Sequence, residues 1–190
     1  MDISELISVL SGIVPLSSTL IERIKSILKE ELFPKKHVLL REGQTEKRIY
    51  FIKEGFARAY YFKDGKEYTS WFLGKNDIMI SVYSFYSRKP AIETIELLDD
   101  SILQSISYED LQTIYQDFIE FNIVGRILTE KYYVSSEERA INLRALSAVE
   151  RYHELLKNYP EVVQKAELKQ IASHLGITPE TLSRIRAKRY

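Results

Sequence analysis

The segment Leu168–Tyr190, LKQIASHLGITPETLSRIRAKRY, concentrates the side chains best suited to reading another molecule. If its second half is a helix, Glu180, Ser183, Arg184 and Ala187 share one face. Arg184 on that face can pair bidentately with guanine O6 and N7, and Glu180 can accept a hydrogen bond from cytosine N4. Arg186, Lys188 and Arg189 suit phosphate oxygens. Thr178, Thr181 and Ser183 complete the expected set of contacts to double-stranded DNA.

Such side chains need a scaffold, and the same segment supplies one. Leu168, Ile171, Ala172 and Leu175 keep helical spacing and predict an apolar face on a first short helix. Gly176 falls where that helix must stop and the backbone needs a positive φ. Ile177 can plug the corner, Thr178 is a good N-cap, and Pro179 follows at the first helical position. Leu182 and Ile185 then point back at the first helix. This is the pattern of a helix-turn-helix. A cationic last turn also complements a helix dipole. The agreement of turn, cap, proline and outward arginine favours the DNA reading.

The charge distribution supports this division of labour. The 190 residues hold 27 Lys and Arg against 27 Asp and Glu. Residues 166–190 carry five cations against two acids, so the remaining 165 residues carry 22 against 25, and the basic charge sits where a nucleic-acid contact needs it. The absence of cysteine excludes disulfides and thiolate-held zinc or iron–sulfur sites. His37, His153 and His174 are scattered, so no metal site is expected. No apolar run is long enough to span a membrane, and the N-terminus has acidic residues where a signal peptide is basic. A cytoplasmic protein without a membrane partner is expected.

Further upstream, residues 3–30 read as amphipathic helix interrupted at Pro15. From about 32 to 108 the texture becomes that of strands. Glycines at 43, 55, 65 and 74 punctuate it regularly, and Asp64-Gly65 is a two-residue hairpin signal. Strands are predicted at 37–41, 48–54, 56–62, 67–73, 91–97 and 101–107. A short helix over 109–116 and a long one over 118–145 follow. The long helix is apolar on two sides, through Phe118, Phe121, Ile123, Val124, Ile127, Leu128, Val134 and Ile141, so it is expected to pack on its own domain and on a second copy of itself. A hinge near Leu146–Ser147 leads to a helix over 148–158, ended by Pro160. The fold class is α+β: an antiparallel β-roll, jelly-roll-like, with flanking helices (1–117), a dimerisation helix (118–145) and a small helix-turn-helix domain (146–190).

This order of elements resembles the cyclic-AMP receptor protein/FNR family of bacterial transcription regulators. The matching residues are LGITPETLSRIR (175–186), the EGQ turn (42–44) and LSAVER (146–151). The resemblance implies a homodimer on a palindromic operator, contact with RNA polymerase, and no enzymatic activity. It places Glu180 and Arg184 at the base-reading positions, with Pro179 where the best-known member has another arginine. The family's cyclic-nucleotide cassette is a glutamate, an arginine and a serine. An ungapped comparison puts Ser81, Ala91 and Ile92 there, which cannot hold a cyclic phosphate. On the long helix Ser136 fits one base-contacting position, while Glu137 replaces a small polar residue at the other. Cyclic AMP is therefore not the expected effector. Many relatives carry a β-hairpin wing before the reading helices, and Tyr159–Lys165 is too short to form one.

The corresponding pocket would be lined by Ser81, Tyr83, Ser84, Phe85, Glu93, Thr94 and Ser136. That polar-aromatic mix suits either an unidentified small effector or a filled core. No cofactor is expected. Two other classes remain: a ligand-sensing or protein-interaction module whose helix pair does not bind DNA, and a cupin-like enzyme. The cupin needs a histidine–carboxylate metal cluster, which the strand region, with His37 alone, does not offer.

Overall fold

The computed structural model describes residues 2–187. Two amphipathic helices, α1 (Ser4–Ser11) and α2 (Ser18–Ile27), open the chain. Ser17 caps α2 by accepting from the Leu20 N–H at 3.2 Å. The expectation of helix through residue 30 fails here. Lys29–Phe33 forms a strand, β1, because it pairs antiparallel over five residues with β8 (Ser101–Ser107). Ladder hydrogen bonds outweigh the helical preference of KEELF.

The roll consists of two four-stranded antiparallel sheets. One has the order β1-β8-β3-β6, with β3 at Arg48–Glu54 and the short β6 at Ile78–Met79. The other is β2-β7-β4-β5, with β2 at Val38–Leu40, β7 at Thr94–Leu97, β4 at Ala57–Lys63 and β5 at Lys66–Leu73. Asp64 and Gly65 join β4 to β5 with φ of 52° and 72°. Two successive positive φ values give a turn whose twist matches the strands. Leu40, Ile52, Met79, Ile95, Leu97 and Leu103 fill the space between the sheets.

The expected strand at 91–97 is shorter than predicted. The Ala91 N–H donates to the Gln44 carbonyl and its carbonyl accepts from the Gly43 N–H, both at 2.8 Å, which ties residue 91 to a loop. A helix, α3 (Val82–Ser87), intervenes between β6 and β7 and was not foreseen. Its Phe85 is buried in the core beneath α1 and α2, with Leu20, Ile24 and Phe51.

Helix α4 (Tyr108–Asp117) leads into α5 (Ile119–Ala145), 27 residues long. Phe121 and Val124 on α5 are buried against the roll. At about 100° per residue, Ile123, Ile127, Val134 and Ile141 line up on the other side of the helix. Val134 is 53% and Ile141 57% exposed. After Leu146 come α6 (Ala148–Asn158), opened by a Ser147–Glu150 capping box, and a short α7 (Val162–Lys165) where a wing would stand. Helices α8 (Leu168–His174) and α9 (Pro179–Ala187) close the described chain. No helix among the described residues is long and apolar enough to cross a membrane.

Candidate nucleic-acid interface and effector pocket

Helices α8 and α9 are built as their residues predict. Glu167 and Gln170 form a capping box at the start of α8. Gly176 turns the corner with φ of 66°. The Thr178 hydroxyl accepts from the Thr181 N–H at 3.2 Å, and Pro179 begins α9. Ile171, Ala172, Leu175, Leu182 and Ile185 are buried together, with Ile177 packed against them.

The opposite face of α9 is open. Thr178, Glu180, Ser183, Arg184 and Arg186 are exposed and Thr181 is half-buried. The Arg184 guanidinium donates to the Thr181 hydroxyl at 3.2 Å. Glu180 stays charged: its own backbone N–H and the Thr178 hydroxyl hold its carboxyl below the ordinary range, and Arg184 adds to this. An acceptor and a planar donor thus project side by side, one helical turn apart. The expected phosphate contacts of Lys188 and Arg189 fall outside the described residues.

The residues expected around the effector pocket separate into two groups. Ser84 is committed elsewhere, because its hydroxyl accepts from the Glu46 N–H at 2.8 Å and donates to the Lys89 carbonyl at 2.7 Å. Phe85 belongs to the core, and Tyr83 points outward at 46% exposure. Thr94 accepts from the Glu42 N–H at 3.2 Å. Ser81 and Glu93 do come together. The Ser81 hydroxyl is buried without a hydrogen bond of good geometry, yet lies near enough to help keep Glu93 charged. Burial dominates and raises the Glu93 carboxyl above its ordinary value.

The structure adds Ser70, Trp71 and Tyr132, which sequence reasoning did not single out. Ser70 lies 3.5 Å from Glu93, and the Trp71 and Tyr132 rings are 5.4 Å apart. Burial, then the Glu93 charge, raises the Tyr132 hydroxyl. Ser136 sits half-buried one turn further along α5. The cluster therefore offers a buried carboxyl and no cation to meet a cyclic phosphate. Ala91 is buried in the roll and Ile92 is 63% exposed. Arg88 is turned away, donating to the Glu46 carbonyl at 2.8 Å with its guanidinium 3.9 Å from the centre of the Tyr108 ring. Arg58 is already neutralised by Glu67 and Glu96, at 2.5 and 2.8 Å.

A joint between the roll and the terminal helices is the other feature sequence reasoning missed. Phe56, Phe72 and Leu98 share one apolar cluster with Tyr152, Leu155, Val162 and Ile171. Around it the Ser173 hydroxyl donates to the Glu67 carbonyl at 2.9 Å and accepts from the Thr69 N–H at 3.0 Å. The Tyr159 hydroxyl donates to Asp77 at 3.1 Å, and Lys165 pairs with Asp99. The stretch too short for a wing thus clamps α8 against β5. Because α8 and not α9 meets the roll, the reading face stays open.

Comparison with known proteins accounts for the roll. Residues 30–118 match the family model described as the cyclic nucleotide-binding domain. The matched segment includes both sheets and ends where the long helix begins. The described residues carry the fold of the CRP/FNR transcription regulators. It superposes on FixK2 from Bradyrhizobium japonicum with a TM-score of 0.71 at 19% identity, over 85% of this chain and 84% of that one. A putative CRP/FNR-family transcriptional regulator from Eubacterium rectale gives 0.71 at 20% identity, over 90% and 82%. The c-di-GMP responsive global regulator CLP of Xanthomonas campestris gives 0.67 at 16%, over 90% and 91%. A search of curated proteins finds no match.

Proposed function

We propose that this chain is a sequence-specific DNA-binding transcription regulator that acts as a homodimer, with no catalytic role. The observation that carries the reading is the open face of α9, where Glu180 and Arg184 project together from a helix-turn-helix whose other face is buried. The CRP/FNR fold of the chain agrees with it. Residues 1–117, 118–145 and 146–190 serve as sensing-type domain, dimerisation helix and reader. The unpartnered stripe Ile123, Ile127, Val134 and Ile141 is the seam between two copies. Two-fold pairing would set the reading helices about 34 Å apart, one turn of a palindromic operator.

Cyclic AMP is not the effector, because Ala91 and Ile92 cannot hold a cyclic phosphate and neither Arg58 nor Arg88 is free to meet one. Control acts through the orientation that the α5 pair imposes on the two terminal domains, and RNA polymerase is the downstream partner. Selection of bound sequences from random DNA duplexes tests the reading. Enrichment of a two-fold symmetric motif is expected. Binding without enrichment, or none at all, would leave the helix pair as a protein-interaction module.

A further inference from the structure

The joint encloses a cavity of about 560 Å³, within the range of small-molecule sites. Trp71 and Asp77 from the roll, Arg139 and Lys131 from α5, Tyr159 just after α6 and His174 from α8 line it. Trp71 is common to it and to the Ser81–Glu93 cluster described above, whose other members do not line it.

Arg139 is the anomaly in this cavity. Arg58, Lys53 and Lys165 each meet a carboxylate, and the half-buried Arg48, Arg88 and Arg151 donate to backbone carbonyls at 3.0 Å or less. Arg139 meets no carboxylate among the described residues. Its neighbours are neutral: the His174 carbonyl at 3.3 Å, the Thr69 carbonyl at a long 3.5 Å, the His174 ring, and the Trp71 ring at 5.7 Å. Burial disfavours its charge, which shows as a downward shift from the ordinary arginine value. A guanidinium does not discharge near neutrality, so its desolvation stays uncompensated unless an anion arrives.

The acids of the cavity do not supply that anion. Asp77 is held at the other end, accepting from the Gly74 N–H at 2.8 Å and from Tyr159. Glu161 lies beside Gly74 as well, and Glu138 and Glu154 are exposed. The inner end is left with Arg139, with Arg151 held by the Leu175 and Leu146 carbonyls, a neutral imidazole and an aromatic wall, since the Trp71 ring packs on Tyr132.

We propose that this cavity binds a small organic oxyanion, a carboxylate or phosphate on a flat apolar body, with the charge on Arg139 and the body against Trp71. The planar fork of arginine suits two oxygens of either group. The ligand would touch α5, β5 and α8 at once, so its occupancy bears directly on how the terminal helices sit against the roll. The proposal does not depend on DNA binding.

Trp71 is the chain's single tryptophan, so its fluorescence reports on the site without a label. The test titrates the full chain with benzoate and with phenyl phosphate, using benzyl alcohol and inorganic phosphate as controls for body and charge. Saturable quenching by at least one of the two aromatic anions is expected, with benzyl alcohol inactive. Arg139→Gln should weaken it at least about tenfold, and Arg139→Lys should restore part of it. Benzoate or phenyl phosphate should also shift the His174 ring resonances of the wild-type protein, which locates the site even if Arg139→Gln folds poorly. No saturation by either aromatic anion in the millimolar range overturns the proposal. So does saturation that is unchanged in a folded Arg139→Gln variant, or that benzyl alcohol reproduces.

Discussion

The Arg139 guanidinium lies across the edge of the His174 imidazole, with Nη1 3.0 Å from Nε2 and 3.2 Å from Nδ1. A cationic donor there requires a neutral ring. Burial first, and Arg139 second, push His174 down to about 3 from an ordinary value of 6.5.

Acidification should therefore loosen the joint. With the pKa depressed in the docked form, docking keeps its full stability above pH 6.5 and loses it as pH falls from there towards 3. His174 retains some surface, so we expect a loss of about 1–2 kcal/mol near pH 5, below the full linkage value. Asp77, raised by burial in the same joint, titrates in the opposite sense. His174→Gln isolates the histidine contribution. Amide exchange in α8 should accelerate between pH 7 and pH 5 in the wild type and much less in the variant. Equal acceleration in both would remove His174 from the explanation.

Gly55 should tolerate no side chain. Its φ is +114°, and an added Cβ would lie 2.5 Å from Ser101 Cβ and 2.9 Å from Ser101 Cα. The second contact is with backbone, so a rotamer change cannot relieve it. Gly55→Ala should cost about 3 kcal/mol or more from backbone strain and overpacking. Thermal melting should fall by roughly 6–12 °C. Ser101→Gly in the same chain should recover part of that. An unshifted melt would mean the β3–β4 turn is looser than it looks.

What could be read from the sequence follows the range of the forces involved. The hairpin at Asp64-Gly65, the β3 and β8 strands and the Thr178–Pro179 helix start depend on residues a few positions apart, and their types announce them. β1 did not announce itself, because KEELF becomes a strand only through pairing with residues about 70 positions away. The joint was hidden for the same reason: Tyr159 finds Asp77 and Ser173 finds Glu67 across 82 and 106 residues. Of the residues expected around an effector pocket, α3 turns Ser84 and Phe85 to other duties than Ser81. Only the backbone path reveals that Glu93 faces Trp71 and Tyr132 instead.

The outer stripe of α5 should govern assembly. Val134 is 53% exposed in one copy and sits mid-stripe. Two-fold pairing would bury it twice, worth about 1.5 kcal/mol each time, and Val134→Glu would replace both contacts with desolvated carboxylates. We expect the dimer dissociation constant to rise at least about 100-fold, read by sedimentation equilibrium. Phe121 and Val124, on the inner face, keep the monomer folded, so circular dichroism should be unchanged. A wild-type chain that sediments as a monomer at micromolar concentration would defeat the prediction before the variant is made.

Arg184 and Glu180 should divide the work of reading a base pair. They project from the same face one turn apart, and Arg184 rests on the Thr181 hydroxyl until a better acceptor displaces it. Guanine O6 and N7 offer two acceptors in the plane of the guanidinium, so Arg184→Ala should lose about 1–3 kcal/mol of discrimination at one position. Affinity for unrelated duplexes should change little, since that is set by phosphate contacts. Arg184→Lys keeps the charge but not the fork, and should keep non-specific affinity while failing to restore discrimination. Glu180→Gln should relax preference at a neighbouring cytosine without lowering the salt dependence. Competition binding on single-substitution operator variants reads all three proteins together. If Arg184→Ala weakened every duplex equally, Arg184 would be a phosphate contact and the reading face would have to be assigned to other residues of α9.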